Sequence, residues 1–118
     1  MSSIFSSVLT ALLVAVVVST AANTCTTVYL HRALSHRALT LKPSIALVFR
    51  AVLWLSTGIK PKEWVAVHRK HHAYTDIEGD PHSPVLLGWK TVQTKNVALY
   101  RASVLDPSTI ERYAKDLP

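Results

Sequence analysis

The chain has 118 residues, 49% of them hydrophobic, and a formal net charge of +6. That length suits one small domain with a modest core, and the single cysteine, Cys25, excludes an internal disulfide framework. The charge is segregated: residues 1–30 contain no Lys, Arg, Asp, Glu or His, and every Lys, Arg, Asp and Glu lies from Arg32 onward.

The uncharged stretch from Ile4 to Leu30 exceeds the roughly 20 residues needed to cross a hydrocarbon core of about 30 Å, so residues 4–30 are expected to form a transmembrane helix. A signal peptide is the competing reading, because small residues follow the apolar run, but "MSSIFSSV" lacks the basic start of one. The cluster "STAANTCTT" suits the part of a helix that faces protein, since small and hydroxyl residues permit close packing. Cys25, within it, reads as an inert buried thiol. Arg32, Arg37 and Lys42 follow directly, which by the positive-inside rule puts this end of the span in the cytoplasm and the N-terminus outside. Residues 44–58, "SIALVFRAVLWLSTG", begin after Pro43, end at Gly58 and carry Arg50. They are short for a full crossing and predict an interfacial or re-entrant helix, or a span packed against others.

"IKPKEWVAVHRKHHAYT" predicts the next helix, with Pro61 in the first turn, Glu63 complementing the positive N-terminus and the basic residues late. "DIEGDPHSP" stacks turn residues and reads as a loop. "VLLGWKTVQTKNVALYRASVL" reads as an amphipathic helix, and "DPSTIERYAKDLP" as a short one capped by Asp106 or Ser108, with Glu111 near its first turn. No stretch alternates long enough for a sheet. The expected fold is therefore all-α and membrane-helical: one to two transmembrane or re-entrant helices, then a cytoplasmic helical part over residues 60–118.

Five of the six histidines fall into two compact groups, "HRALSH" at 31–36 and "HRKHH" at 68–72. On an α-helix His68, His71 and His72 lie within an arc of about 100° and project from one face. His31 and His36 would stand about 140° apart. Either the helix distorts there or the two rings serve two neighbouring metals. Neutral imidazoles offer one lone pair each to a metal, whereas a solvated basic patch at a membrane surface is the plainer use of such residues. Two groups beside apolar segments favour metal. A nucleic-acid surface is disfavoured, since no aromatic platform joins the basic residues. Neither the cysteine spacing of structural zinc nor an H-E-x-x-H motif is present, and spacing alone leaves iron, copper and zinc open.

"HRALSH" matches the H-x-x-x-x-H box, and "HRKHH" the H-x-x-H-H box, of the integral-membrane fatty acid desaturases. "YLHRALSHRA" and "EWVAVHRKHHAYTDIEGDPHSP" resemble the delta-nine acyl-CoA and acyl-lipid members, bacterial ones especially, over roughly residues 20–118. The resemblance implies a non-haem centre of two iron ions on the cytoplasmic side, with His31, His36, His68, His71 and His72 as ligands. It also implies removal of two hydrogens from a saturated acyl chain by activated dioxygen, leaving a cis double bond. Electrons would come from ferredoxin, or from a cytochrome b5 or flavoprotein chain. Within this pattern His82 reads as a loop or substrate-side residue, and Arg69 and Lys70 as solvated residues facing away from the metals. Asp76, Glu78 and Asp80 read as solvated loop carboxylates. Trp54, Trp64 and Trp89 read as interfacial anchors, with lining of an acyl tunnel as the alternative.

The family's third histidine box, H-x-x-H-H, has no counterpart here, because no histidine occurs after His82. Residues 1–118 thus read as a partial desaturase domain that binds metal incompletely and desaturates nothing alone. A non-catalytic membrane fragment with a His-rich patch, and a related di-iron hydroxylase, are the alternatives.

Overall fold

In the computed structural model, which describes residues 2–118, the chain folds into helices and turns with no strand among the described residues. The all-α expectation is met. The chain divides into two compact units, Met1–Ile59 and Lys60–Pro118.

The first unit begins with α1, Ser2–Cys25, which continues without a break into a π-helical segment, Thr26–Ser35. The continuous helix Ser3–Ser35 is, among the described residues, the one long and apolar enough to cross a membrane. It extends past the expected end at residue 30 because the backbone changes helix type instead of stopping. Its large side chains, among them Phe5, Leu12 and Val17, are exposed. The second helix, α2 (Pro43–Thr57), has proline in its first turn, and Gly58 caps its end at φ 67°. That left-handed conformation costs glycine nothing and lets the Gly58 amide reach the carbonyls of Leu53 and Trp54, both at 3.1 Å. With 15 residues at about 1.5 Å each, α2 is shorter than a hydrocarbon core. It packs on α1 and the π-segment, with Leu30 and Leu53 fully buried and the rings of Tyr29 and Phe49 6.3 Å apart. Cys25 is buried there as an unpaired thiol.

In the second unit α3 spans Pro61–Ala73, with Pro61, Glu63 and the late basic residues placed as the sequence predicts. A turn-rich loop at 74–83 follows. The expected single amphipathic helix after it is instead divided. A one-turn α4 (Pro84–Leu87) ends at Gly88, and α5 (Trp89–Leu105) is kinked at Lys95, where φ is −113° and ψ 17°. The last helix, α6 (Pro107–Tyr113), is capped by Asp106, whose carboxylate accepts from the Ser108 amide at 3.0 Å. α3 packs against α5 and α6, burying Val65, Ala66 and Val67 together with Thr109 and Ala114. This core holds α3, and so the second histidine group, from one side.

Candidate metal centre

The histidine groups sit on helices of different type. In the π-segment the backbone bonds run from i to i+5, as in the 3.1 Å bond from the His36 amide to the His31 carbonyl. Residues five apart are thereby brought one above the other. The rings of His31 and His36 meet edge to face with centroids 4.6 Å apart. Of the two alternatives read from the sequence, the helix does distort. Buried Ser35 reinforces the wide turn by donating its hydroxyl to the Leu30 carbonyl at 2.8 Å.

On α3, His68 and His72 are one α-turn apart, and their Nε2 atoms face each other at 3.1 Å. Two imidazole nitrogens bound to one ion at about 2.0–2.1 Å would be roughly 2.8–3.4 Å apart, between octahedral and tetrahedral angles. The pair therefore has the spacing of a chelate. Trp64, one turn earlier, stacks on His68 at 4.7 Å with 13° between the planes, which fixes the ring's orientation.

His71 is turned elsewhere. Its Nδ1 lies 2.8 Å from Oδ1 of Asp80, and its ring stacks on His82 at 4.4 Å with 23° between the planes. The three histidines of "HRKHH" thus do not converge as a simple arc would have them: two face one another and the third faces the loop. The ligand atoms of His71, Asp80 and His82 lie within 4.8 Å of one another. Burial works to raise the Asp80 pKa, but hydrogen bonds from His71 and from the His82 and Asp76 amides outweigh it and hold the carboxyl below its ordinary value. Burial and the neighbouring His71 push the His82 imidazole down against the pull of Asp80, which favours its neutral form.

Several residues read as solvated prove to be structural. The Asp80 side chain has no exposure, because the loop folds over it. Arg69 donates to both carboxylate oxygens of Asp116, at 2.6 and 3.3 Å, and to the Tyr113 carbonyl at 2.9 Å. Lys70 donates to Thr109 at 3.1 Å and lies 3.8 Å from Asp106. Both cations face away from the histidines, as expected, but toward the α6 region and its flanks instead of water. Asp76 and Glu78 are exposed.

The profile of the fatty acid desaturase family matches residues 6–113, nearly the whole chain. The chain belongs to that family. Within it, the chain is 39% identical over 67 residues to the delta-9 desaturase-like 2 protein of Arabidopsis thaliana, covering 57% of this chain and 22% of that protein. It is 40% identical over 57 residues to a hex-5-enoyl acyl-carrier-protein acetylenase of Moorena producens (48% of this chain, 18% of the relative). It is 41% identical over 64 residues to an acyl-CoA C20 delta-5 desaturase of Anemone leveillei (54% and 20%). The matched segments span about a fifth of these relatives. No solved structure matches the chain.

Beside His68 and His82 lies a cleft of about 230 Å³ lined also by Trp64, Val67, Asn96 and Tyr100. Trp64 differs from the two other tryptophans, which are 71% and 65% exposed at Trp54 and Trp89: it borders the cleft and touches a box histidine. Tyr100 has a buried hydroxyl with no hydrogen-bond partner among the described residues, and burial, with Glu63 nearby, raises its pKa to about 12. Nothing in the sequence singled out Tyr100, whose place follows from the packing of α5 on α3.

Proposed function

We propose that residues 1–118 form the part of an acyl desaturase that carries its first two histidine groups, with His31, His36, His68, His71 and His72 as ligands for two non-haem iron ions. The facing Nε2 atoms of His68 and His72, 3.1 Å apart inside the family-matched segment, carry this reading. The donor set fits the group, since imidazoles suit iron and α3 presents two of them at chelate spacing. When bound, the irons would supply dioxygen activation for the removal of two hydrogens from a saturated acyl chain, giving a cis double bond and water. The chain's own residues hold the ligands: the π-turn pairs His31 with His36, and Trp64 keeps the His68 ring from rotating.

The rest of the reading follows from the family. The apolar exposed face of α1 fits a lipid surround, and Arg32, Arg37 and Lys42 set the histidine groups on the cytoplasmic side. The substrate class is an acyl-CoA or acyl lipid, and the electron donor ferredoxin or a cytochrome b5 or flavoprotein chain. Five box imidazoles are too few to fill two iron coordination spheres, and the polypeptide alone is inactive.

Anaerobic titration of the purified chain in lipid nanodiscs with Fe²⁺ tests this. We expect uptake of fewer than two irons per chain, affinity falling tenfold or more in His68→Ala and His72→Ala, and no unsaturated product on adding dioxygen and a reductant. Iron binding unchanged by both substitutions sinks the metal assignment; an unsaturated product sinks the claim of inactivity.

A further inference from the structure

We propose that Asp80 is a positioning residue for His71: its carboxylate takes the Nδ1 proton of the ring and leaves the Nε2 lone pair as the metal-binding nitrogen. The inference rests on the reading of His71 as an iron ligand.

A neutral imidazole has one N–H and one lone pair, and which nitrogen carries which is set by the hydrogen bond the other makes. Oδ1 of Asp80 stands 2.8 Å from Nδ1 of His71, on a side chain with no exposure. An ionised carboxylate only accepts, so the shared proton sits on Nδ1. A carboxylate placed behind a ligating histidine fixes the tautomer and ring orientation and makes the ring a stronger donor.

The carboxylate is itself held. Its Oδ2 accepts the Asp76 amide at 2.9 Å, and Oδ1 accepts the His82 amide at 3.0 Å. The loop can close this tightly because Asp76 and Gly79 take left-handed φ values of 60° and 103°, and at Gly79 a Cβ would come within 3.1 Å of the Tyr74 ring. Asp80 therefore cannot follow a rotating ring, and the ring must come to it. His82, stacked on one face of His71 at 4.4 Å, fixes the tilt. The same contacts argue against His71, Asp80 and His82 forming an ion site by themselves. Oδ1 already accepts two bonds, and lone pairs of near-parallel stacked rings run side by side instead of converging.

The test reads the tautomer without metal. The full chain in nanodiscs, labelled with ¹⁵N-histidine and held at a pH well above the imidazole range, is compared as wild type, Asp80→Ala, Asp80→Asn and Ser83→Ala, with circular dichroism to check helicity. His71 should be Nδ1–H in the wild type, should lose that preference in Asp80→Ala and should keep it in Asp80→Asn, whose amide oxygen still accepts. Ser83→Ala breaks the 2.7 Å bond from Ser83 to Asp76 in the same loop without touching His71, and should leave the tautomer unchanged. Titration with Co²⁺ alone should show affinity reduced about 10- to 100-fold in Asp80→Ala and by much less in Ser83→Ala. An Nε2–H tautomer for wild-type His71, or equal loss of Co²⁺ affinity in Asp80→Ala and Ser83→Ala, overturns the proposal and reduces Asp80 to a loop brace. A wild-type chain that is Nδ1–H at His71 yet takes up no Co²⁺ instead overturns the metal reading and leaves the tautomer assignment standing.

Discussion

Arg69 and Lys70 lie between His68 and His71, and the contacts they make explain how α3 can hold its rings in fixed directions. A helix carrying three histidines gains little from propensity or a cap, and its orientation must come from the other face. Arg69 provides much of that. Its fork spans both oxygens of Asp116 and reaches the Tyr113 carbonyl, and the two side chains are only 22% and 26% exposed. Such a charge-assisted, bidentate contact exceeds an ordinary surface pair. We expect Arg69→Ala to cost about 1–3 kcal/mol in urea unfolding of the chain. Arg69→Lys should recover less than half, because one ammonium cannot match the planar fork. Equal stability of all three proteins would show that α6 is held without this contact.

At the scale of elements, the wide turn after α1 decides how the first histidine group is presented. A buried hydroxyl bonded to a carbonyl is worth about 1 kcal/mol, and Ser35 makes such a bond across the π-turn. Ser35→Ala should accordingly speed amide exchange at His36 about fivefold, while α2 amides exchange as before. Unchanged exchange would mean that the i→i+5 bonds hold the turn alone. The elements differed in how far they could be read from residues. The apolar run of α1, the Pro43 to Gly58 limits of α2 and the Pro61 start of α3 carry local signals of apolarity, φ restriction and capping; α2 and α3 stand where expected, and α1 begins where expected although its helix runs on to Ser35. The π-segment does not, since "TTVYLHRALS" follows no rule that distinguishes an i→i+5 turn from an i→i+4 one; only the 140° disagreement between His31 and His36 hinted at it. The break at Gly88 had a visible glycine, but the kink at Lys95 had no marker. Asp80 reads as solvated because a loop aspartate usually is, and its burial depends on a closure between residues 71 and 82 that sequence order alone does not reveal.

For the whole molecule, the uncharged first 30 residues and the basic ones beginning at Arg32 make a directional statement about the membrane. Translocating Arg32, Arg37 and Lys42 is opposed by the positive-inside bias, so α1 should insert with its N-terminal end outside and residues 60–118 in the cytoplasm. A cleaved leader would instead release those residues from the membrane. The single cysteine makes the alternatives separable, because Cys25 can be replaced by serine and one new thiol placed at an exposed position. In intact cells a membrane-impermeant maleimide should label Ser3→Cys and spare Glu78→Cys, whose parent residue is exposed in the loop beside the second histidine group; lysis should expose Glu78→Cys to the reagent. Neutralising Arg32, Arg37 and Lys42 together should raise the labelling of Glu78→Cys in intact cells, since the bias that orients the span is then removed. Labelling of Glu78→Cys before lysis in the otherwise unaltered chain would reverse the orientation, and a mature chain lacking the Ser3→Cys label and shortened in mass would replace the span by a cleaved leader. Either result would also move the histidine groups away from the cytoplasmic electron carriers on which the proposed desaturation depends.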